Sequence, residues 1–240
     1  MANLIRTSKS GSDWTPNDLL AYNIRVEYQD SRTFFGIANL PQPLVDNEVL
    51  IAPDAAATQH DDPYILLRTM DLAMAVPPGE ESAVDDFSVQ LFKVLGHTKT
   101  DVCIMDASDI LLLVQEDKRH LDGSDPEPQL IAEAIAAFYN NNNTRVRALG
   151  LPTLQNKIFP GITMKGTMPT FYKIPITAEL VRAVQLGEYP VQETVVYAHL
   201  PPVPRPARRY NEVPLKIRPL FTSPTWKPVI GLRNMTQKFS

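Results

Sequence analysis

The chain has 240 residues, of which 44% are hydrophobic, so it can build a sizeable core as one large domain or two small ones. Its formal net charge of −4 is not that of a module that binds polyanions through overall basicity. The single cysteine, Cys103, excludes an intramolecular disulfide and favours a reducing compartment. The four histidines lack ligand spacing, so the sequence does not support a zinc site.

The N-terminal residues contain no apolar signal-peptide core, and no apolar run in the sequence reaches the length of a transmembrane helix. We therefore expect an intracellular protein, cytoplasmic or nuclear, with no membrane partner. The sequence also contains no glycine-rich phosphate loop and no nucleophile elbow.

The first third of the chain predicts packing elements without catalytic chemistry. Thr15 and Pro16 are typical of a helix start, and this short helix leads into a strand at residues 24–28. Prolines, polar residues and three consecutive alanines indicate an exposed connection over residues 40–63. A helix is then predicted over residues 64–75, with these side chains facing the core: Ile65, Leu66, Met70, Leu72 and Ala73.

The middle of the chain predicts a helix followed by a hairpin. Residues 77–79 read Pro-Pro-Gly and stop the preceding element, and acidic residues then fill the first turn of a helix over residues 80–92. Two apolar runs, residues 101–106 and 110–118, are typical of adjacent strands.

The next element is the helix that the sequence predicts most clearly, over residues 129–139. Asp125 has the character of an N-cap, and the apolar residues that follow repeat at helical spacing. Four asparagines at residues 140–143 are expected to end the helix.

The last elements extend the sheet. A hairpin is predicted from residues 159–166 and 170–176, then a threonine-capped helix over residues 177–184 and a strand over residues 193–199. Residues 201–240 are proline-rich and basic, which is typical of a solvated terminus but also suits steering of a phosphate backbone.

Three charged residues of the predicted hairpin suggest chemistry. The period of two along a strand puts Glu116 and Lys118 on one face, with Asp117 on the other. If the two strands are antiparallel, Asp101 can lie near this pair. Two carboxylates can hold Mg²⁺ or Mn²⁺, and a neighbouring lysine can orient the attacking water in phosphodiester hydrolysis. The alternative is that Glu116 and Lys118 are only the polar end of a buried strand.

These residues resemble the PD-(D/E)XK nuclease superfamily, with Asp101 as the motif aspartate and Glu116-x-Lys118 as the second half of the motif. The resemblance implies a restriction-endonuclease-like α/β or α+β core, in which helices flank a central mixed sheet. It also implies a further metal carboxylate from the first helix, for which Glu81 is the choice, and a site-facing glutamine, Gln129.

Simpler roles for these last residues remain open. Glu80 and Asp85 are rivals of Glu81, and all three acids could merely complement the helix dipole. Gln129 could equally be a solvated residue of a first helical turn.

A narrower likeness covers most of the chain. The strings at residues 77–87, 111–118, 125–138 and 159–164 look like a multicopy family from mushroom-forming fungi, for which no activity can be carried over. That family has an extra strand between the first helix and the Asp101 strand. Residues 96–99 are too few to hold it, so we expect the first strand of the core to be missing here.

The sequence therefore predicts three regions: a packing or lid region at residues 1–76, a PD-(D/E)XK-like core at residues 77–200, and a basic tail at residues 201–240. The predicted function is metal-dependent hydrolysis of nucleic acid, with DNA and RNA both open. The alternatives are a non-catalytic binding protein that retains the nuclease-like fold, or a degenerate inactive copy.

Overall fold

The computed structural model describes residues 9–36, 48–49, 52–74, 82–94, 103–105, 110–117 and 125–201. The helices within these ranges are α1 (Pro16–Ala21), α2 (Ser31–Phe35), α3 (Asp61–Met74), α4 (Ser82–Val94), α5 (Glu127–Arg147) and α6 (Ala178–Leu186). The strands are β1 (Ile24–Tyr28), β2 (Cys103–Met105), β3 (Ile110–Asp117), β4 (Asn156–Lys165), β5 (Met168–Thr177) and β6 (Thr194–His199). Two short 3-10 turns lie at Gly11–Asp13 and Ala55–Ala57.

These strands form one mixed sheet in the order β1-β6-β5-β4-β3-β2. The β1–β6 and β3–β4 pairs are parallel, and the other three pairs are antiparallel. Because parallel neighbours need a crossover, α5 joins β3 to β4. The predicted α/β class, a central mixed sheet flanked by helices, is confirmed.

Side chains that alternate along β4 and β5 divide the core into two layers. Ile162, Met164 and Phe171 pack with α3 and α4 on one face. Phe159 and Ile174, which have the opposite parity, pack with α5 and α6 on the other face. The period of two along a strand therefore sends each strand's apolar residues into both layers.

A glycine in β4 lets α5 approach the sheet closely. A Cβ atom built at Gly161 would lie 2.9 Å from Leu130 Cδ2 of α5 and 3.1 Å from Ile174 Cδ1 of β5. Leu130 and Ile174 are both fully buried, so neither side chain can move aside into solvent. The missing side chain at Gly161 thus sets the distance between the helix and the sheet.

Most predicted elements are confirmed, including the antiparallel hairpins β2–β3 and β4–β5 and the strand at residues 24–28. The threonine cap is also confirmed, because Thr177 Oγ1 accepts a hydrogen bond from the Leu180 amide.

The predicted end of α5 is wrong, because the helix runs through the asparagines to Arg147. The side chain of Asn142 explains the difference. Its amide group donates to the Leu154 carbonyl at 3.1 Å, and its oxygen accepts from the Leu154 backbone N–H at 2.7 Å. These two tertiary bonds offset the weak helix propensity of asparagine.

The predicted exposed connection at residues 40–63 also needs correction in its described part. Ala55–Ala57 form a turn in which Asp54 accepts a hydrogen bond from the Ala57 amide, and Ala55 is buried. On α3 the buried side chains include Leu67, which the predicted core face omitted, while Ile65, Leu72 and Ala73 are only partly buried.

The N-terminal region contributes to the same sheet as the predicted core. β1 is the outermost described strand on its side of the sheet and pairs in parallel with β6, with Ile24 opposite Thr194. Leu19, Tyr22 and Ile24 belong to the layer of α5 and α6. The proposed boundary at residues 76 and 77, the short connection at residues 96–99 and the tail from residue 202 onward lie outside the described residues.

The close approach at Gly161 leads to a stability prediction. Gly161→Ala should lower the free energy of unfolding by about 1–3 kcal/mol, because the added methyl group overpacks the contact between Leu130 and Ile174. Urea denaturation measures this change. Gly11→Ala is the matched control, since a Cβ atom there meets Ala132 Cβ at an ordinary 3.6 Å, and equal losses in both variants would contradict the explanation.

Candidate metal centre

The hairpin that carries the predicted site has the strand arrangement that the site requires. Cys103 of β2 lies opposite Leu113 of β3, and the two strands run antiparallel. The start of β2 therefore lies beside the middle of β3. Further along β3, the backbone of Glu116 pairs in register with Met164 of β4.

Several predicted site residues lie outside the described residues. These are Asp101, Lys118 and Glu81, together with the rival Glu80. Glu116 is described only as part of the backbone of β3. The roles of these residues as metal ligands or as the water-orienting lysine stay predictions. The other rival, Asp85, is an exposed residue of the first turn of α4.

Gln129 is described and half-buried in the first turn of α5. Its side-chain amide donates a hydrogen bond to Glu133 Oε1 at 3.2 Å, one turn further along the helix. This contact orients Gln129 along the helix. Its predicted role beside the metal site stays a prediction.

Within the described part of the chain, no group of three or more His, Cys, Asp or Glu side chains is arranged to hold a metal ion. The two described histidines have other partners. His60 Nδ1 lies 2.9 Å from Glu48 Oε1, and His199 Nδ1 lies 2.9 Å from the Gln29 carbonyl oxygen.

A buried carboxyl group that the sequence interpretation passed over lies at the start of α5. Glu127 is only 9% exposed, and Tyr28 at the end of β1 donates a hydrogen bond from its hydroxyl to Glu127 Oε2 at 3.1 Å. The backbone N–H of Glu127 donates to Asp125 Oδ1 at 3.1 Å. The prediction that Asp125 is the N-cap is wrong by one residue, because Pro126 occupies that position and Asp125 accepts its bond from just outside the helix.

Sheet register brings a second tyrosine to the same place. Tyr28 pairs with Ala198, and Ala198 pairs with Tyr172 of β5, so the three residues form one row across the sheet. Thr163 of β4 donates from its hydroxyl to Tyr172 Oη at 3.5 Å. Glu127 and these hydroxyl groups thus form a polar cluster beneath the first turn of α5.

Burial controls the protonation of this cluster. It raises the pKa of the Glu127 carboxyl, the charge of Asp125 raises it further, and hydrogen bonds from Tyr28 and Tyr172 lower it only in part. Burial and the nearby Glu127 raise the pKa of Tyr28 to about 12 and also raise the pKa of Tyr172. The cluster therefore holds a carboxyl group that accepts a proton more readily than an exposed glutamate does.

The sequence held only a weak signal for this cluster. Glu127 stands between two prolines in a first helical turn, where an acid is ordinary. Its partner Tyr28 lies 99 residues away along the chain. Only the strand order of the sheet reveals the contact.

On the opposite face of the sheet, Lys173 of β5 contacts the end of α2. Its ammonium group donates a hydrogen bond to the Phe34 carbonyl and lies 4.8 Å from the centre of the Phe34 ring. Burial lowers the pKa of Lys173. Because helix C-termini present unsatisfied carbonyl groups, this contact is a helix cap.

No protein-family model matches the chain, and a search of curated proteins finds no match. Among the described helices, none combines the length and the apolar character needed to cross a membrane.

The raised pKa of Glu127 predicts a pH-dependent stability difference. A carboxyl group with a raised folded-state pKa contributes stability that is present below its unfolded pKa and is lost as pH rises through the folded value. The Glu127→Gln variant has no ionisable group at this position, so its stability does not undergo this loss. The free energy of unfolding of the wild type should therefore fall relative to that of Glu127→Gln above pH 4.5, by about 1.4 kcal/mol for each unit of pKa difference.

Urea denaturation from pH 2 to 8 measures this difference, and Asp30→Asn provides a control of opposite sign at the acid end of the series. Hydrogen bonds from the Thr33 side chain and backbone lower the pKa of Asp30, so its contribution to stability is lost as pH falls. A pH-independent difference between the wild type and Glu127→Gln would contradict the assignment.

Proposed function

We propose that the protein is a metal-dependent hydrolase that cleaves phosphodiester bonds of nucleic acid at a PD-(D/E)XK-like site. The observation that supports this proposal is the antiparallel pairing of β2 and β3, followed by α5 and the parallel strand β4. In sequence, Asp101 stands two residues before β2, and Glu116 is the second-last residue of β3. An antiparallel pair brings those two ends together.

The donor set suits the proposed metal. Asp101, Glu116 and Glu81 would supply carboxylate oxygens, the hard ligands that Mg²⁺ and Mn²⁺ prefer. When bound, such an ion supplies Lewis-acid stabilisation of the negative charge on the phosphoryl oxygens and on the attacking water.

The other residues of the proposed site act on the water and on its surroundings. Lys118 would orient the attacking water through its ammonium group and offset negative charge that develops on the phosphoryl group. Gln129 would hold its neighbours in place through its amide, as it holds Glu133 in the structure. Each of these roles depends on one side-chain group, so a single substitution can remove it.

The substrate of this proposal is a nucleic-acid backbone, either DNA or RNA. The overall charge of −4 requires that attraction of a polyanion be local. The basic sequence after residue 201, with Lys216, Arg218 and Lys227, is the candidate for that attraction. The affinity for nucleic acid should then fall steeply as the salt concentration rises, as expected of phosphate contacts.

The direct test is cleavage of plasmid and single-stranded substrates in the presence of Mg²⁺ or Mn²⁺. Wild-type protein should cleave, and Lys118→Ala should lose roughly 100-fold or more of the rate, the usual cost of removing a group that positions a proton. Gel electrophoresis of the products measures both rates. Circular dichroism should first show that both proteins are folded.

Lys157→Ala is the matched control, because Lys157 is a lysine of β4 that lies 5.3 Å from the centre of the Phe159 ring and near the opposite end of the strand from Met164. Its cleavage rate should equal that of the wild type. A folded wild type that cleaves neither substrate would contradict the proposal and favour the alternative of a non-catalytic binding protein. Equal losses of cleavage rate in Lys118→Ala and Lys157→Ala would show that the rate depends on overall positive charge rather than on Lys118.

A further inference from the structure

A short N-terminal segment crosses the outer surface of α5. This N-terminal strap, Lys9–Trp14, contains the 3-10 turn Gly11–Asp13. A Cβ atom built at Gly11 would lie 3.6 Å from Ala132 Cβ and 4.0 Å from Glu133 Cγ. The backbone of the strap therefore rests directly on the helix beside Glu133.

The carboxyl group of Glu133 is poorly satisfied in this position. Its Oε1 atom accepts one hydrogen bond, from Gln129, whereas its Oε2 atom is buried and has no hydrogen-bond partner among the described residues. A buried carboxylate oxygen without a donor carries a desolvation cost, which a neutral carboxyl group reduces. Burial accordingly raises the pKa of Glu133.

Among the described residues, contacts at its two ends hold the strap in place. Trp14 stacks on Tyr22 with ring centres 5.4 Å apart, and Lys9 forms an ion pair with Asp18 at 2.8 Å. The 3-10 turn itself contains no buried residue, and its two backbone bonds, Asp13 to Ser10 and Trp14 to Gly11, are internal to the strap. Trp14 also packs against the core layer of α5 and α6, so the strap is held at its two ends rather than through its central turn.

We propose that the N-terminal strap is a proton-controlled cover of α5, closed over Glu133 while its carboxyl group is neutral and opened when that group ionises. The inference concerns a conformational switch and does not depend on the proposed hydrolase activity. Opening would bring the buried Oε2 atom of Glu133 into contact with water.

The neighbouring charged groups do not account for the raised pKa of Glu133. The strap carries Lys9 and Asp13, and α1 carries Asp18, which is already paired with Lys9. None of these three contributes to the pKa of Glu133, which burial raises and the amide of Gln129 lowers. Glu127, the buried acid of α5, instead accepts a hydrogen bond from Tyr28 at the end of β1.

The direction of the switch follows from linkage. Ionisation costs more in the closed state, where Oε2 of Glu133 is buried, than in the open state, where water solvates it. The closed state is therefore favoured at low pH. Opening increases as pH rises above 4.5, and each unit of pKa difference between the two states changes the opening constant by about tenfold.

Trp14 provides the test. The chain has two tryptophans, Trp14 and Trp226, so Trp226→Phe leaves Trp14 as the only tryptophan in the full chain. Acrylamide quenching of its fluorescence should increase with pH in a single titration between pH 4 and 8, while far-UV circular dichroism stays constant. Adding Glu133→Gln should hold quenching at the low-pH value throughout.

Two further variants separate the switch from a general pH effect. Gln129→Leu removes the donor to Glu133, so the titration should move to higher pH. Glu127→Gln, a matched change on the same helix, should leave the titration where it is. The proposal is overturned if quenching is independent of pH in the parent protein, or if Glu133→Gln shows the same rise.

Discussion

The contact between Leu130 and the bare backbone at Gly161 is the constraint on which the rest of the structure depends. Because α5 connects β3 to β4, its distance from the sheet fixes where both of its ends lie. Its first turn brings Glu127 over Tyr28 and Tyr172, and its outer side carries Glu133 beneath the N-terminal strap. A side chain at Gly161 would press on Leu130 of α5 and on Ile174 of β5.

The acidic side chains of the described residues occupy two kinds of environment. Asp30 stands at the start of α2 and accepts hydrogen bonds from the backbone N–H groups of Arg32 and Thr33, so its charged form is stabilised. On α5, Glu127 is instead buried and Glu133 is half-buried, and neither has a cation among its described partners. Their neutral forms are favoured. The same side-chain chemistry thus gives opposite pH responses in capping and buried positions.

The extent to which the sequence predicts this molecule depends on the range of the interactions involved. Local patterns predicted the hairpins and the capped helix at Thr177, because strand alternation and end-capping act over a few residues. The predicted end of α5 was wrong because the Asn142 side chain forms hydrogen bonds with the Leu154 backbone, 12 residues further along the chain. Residue propensities do not describe such a tertiary contact. The pairing of β1 with β6 joins residues about 170 positions apart, and no local pattern reveals it.

The same distinction applies to the candidate sites. The period of two predicts that Glu116 and Lys118 share a face, and the antiparallel hairpin that this prediction assumed is present. The cluster of Glu127 with Tyr28 and Tyr172 was missed, because its members come from three elements that only the complete sheet brings together. A partnership within one hairpin can be inferred from spacing, whereas one across the whole sheet cannot.

Paramagnetic broadening by Mn²⁺ in the NMR spectrum of the ¹⁵N-labelled protein tests the proposed metal centre most directly. The account predicts selective broadening of the amides of Cys103, Glu116 and Met164, which lie at the start of β2 and along the later halves of β3 and β4. Asp101→Ala should abolish this broadening while the rest of the spectrum is retained. Broadening confined to other parts of the folded chain, or unchanged in Asp101→Ala, would contradict a metal centre at the β2–β3 hairpin.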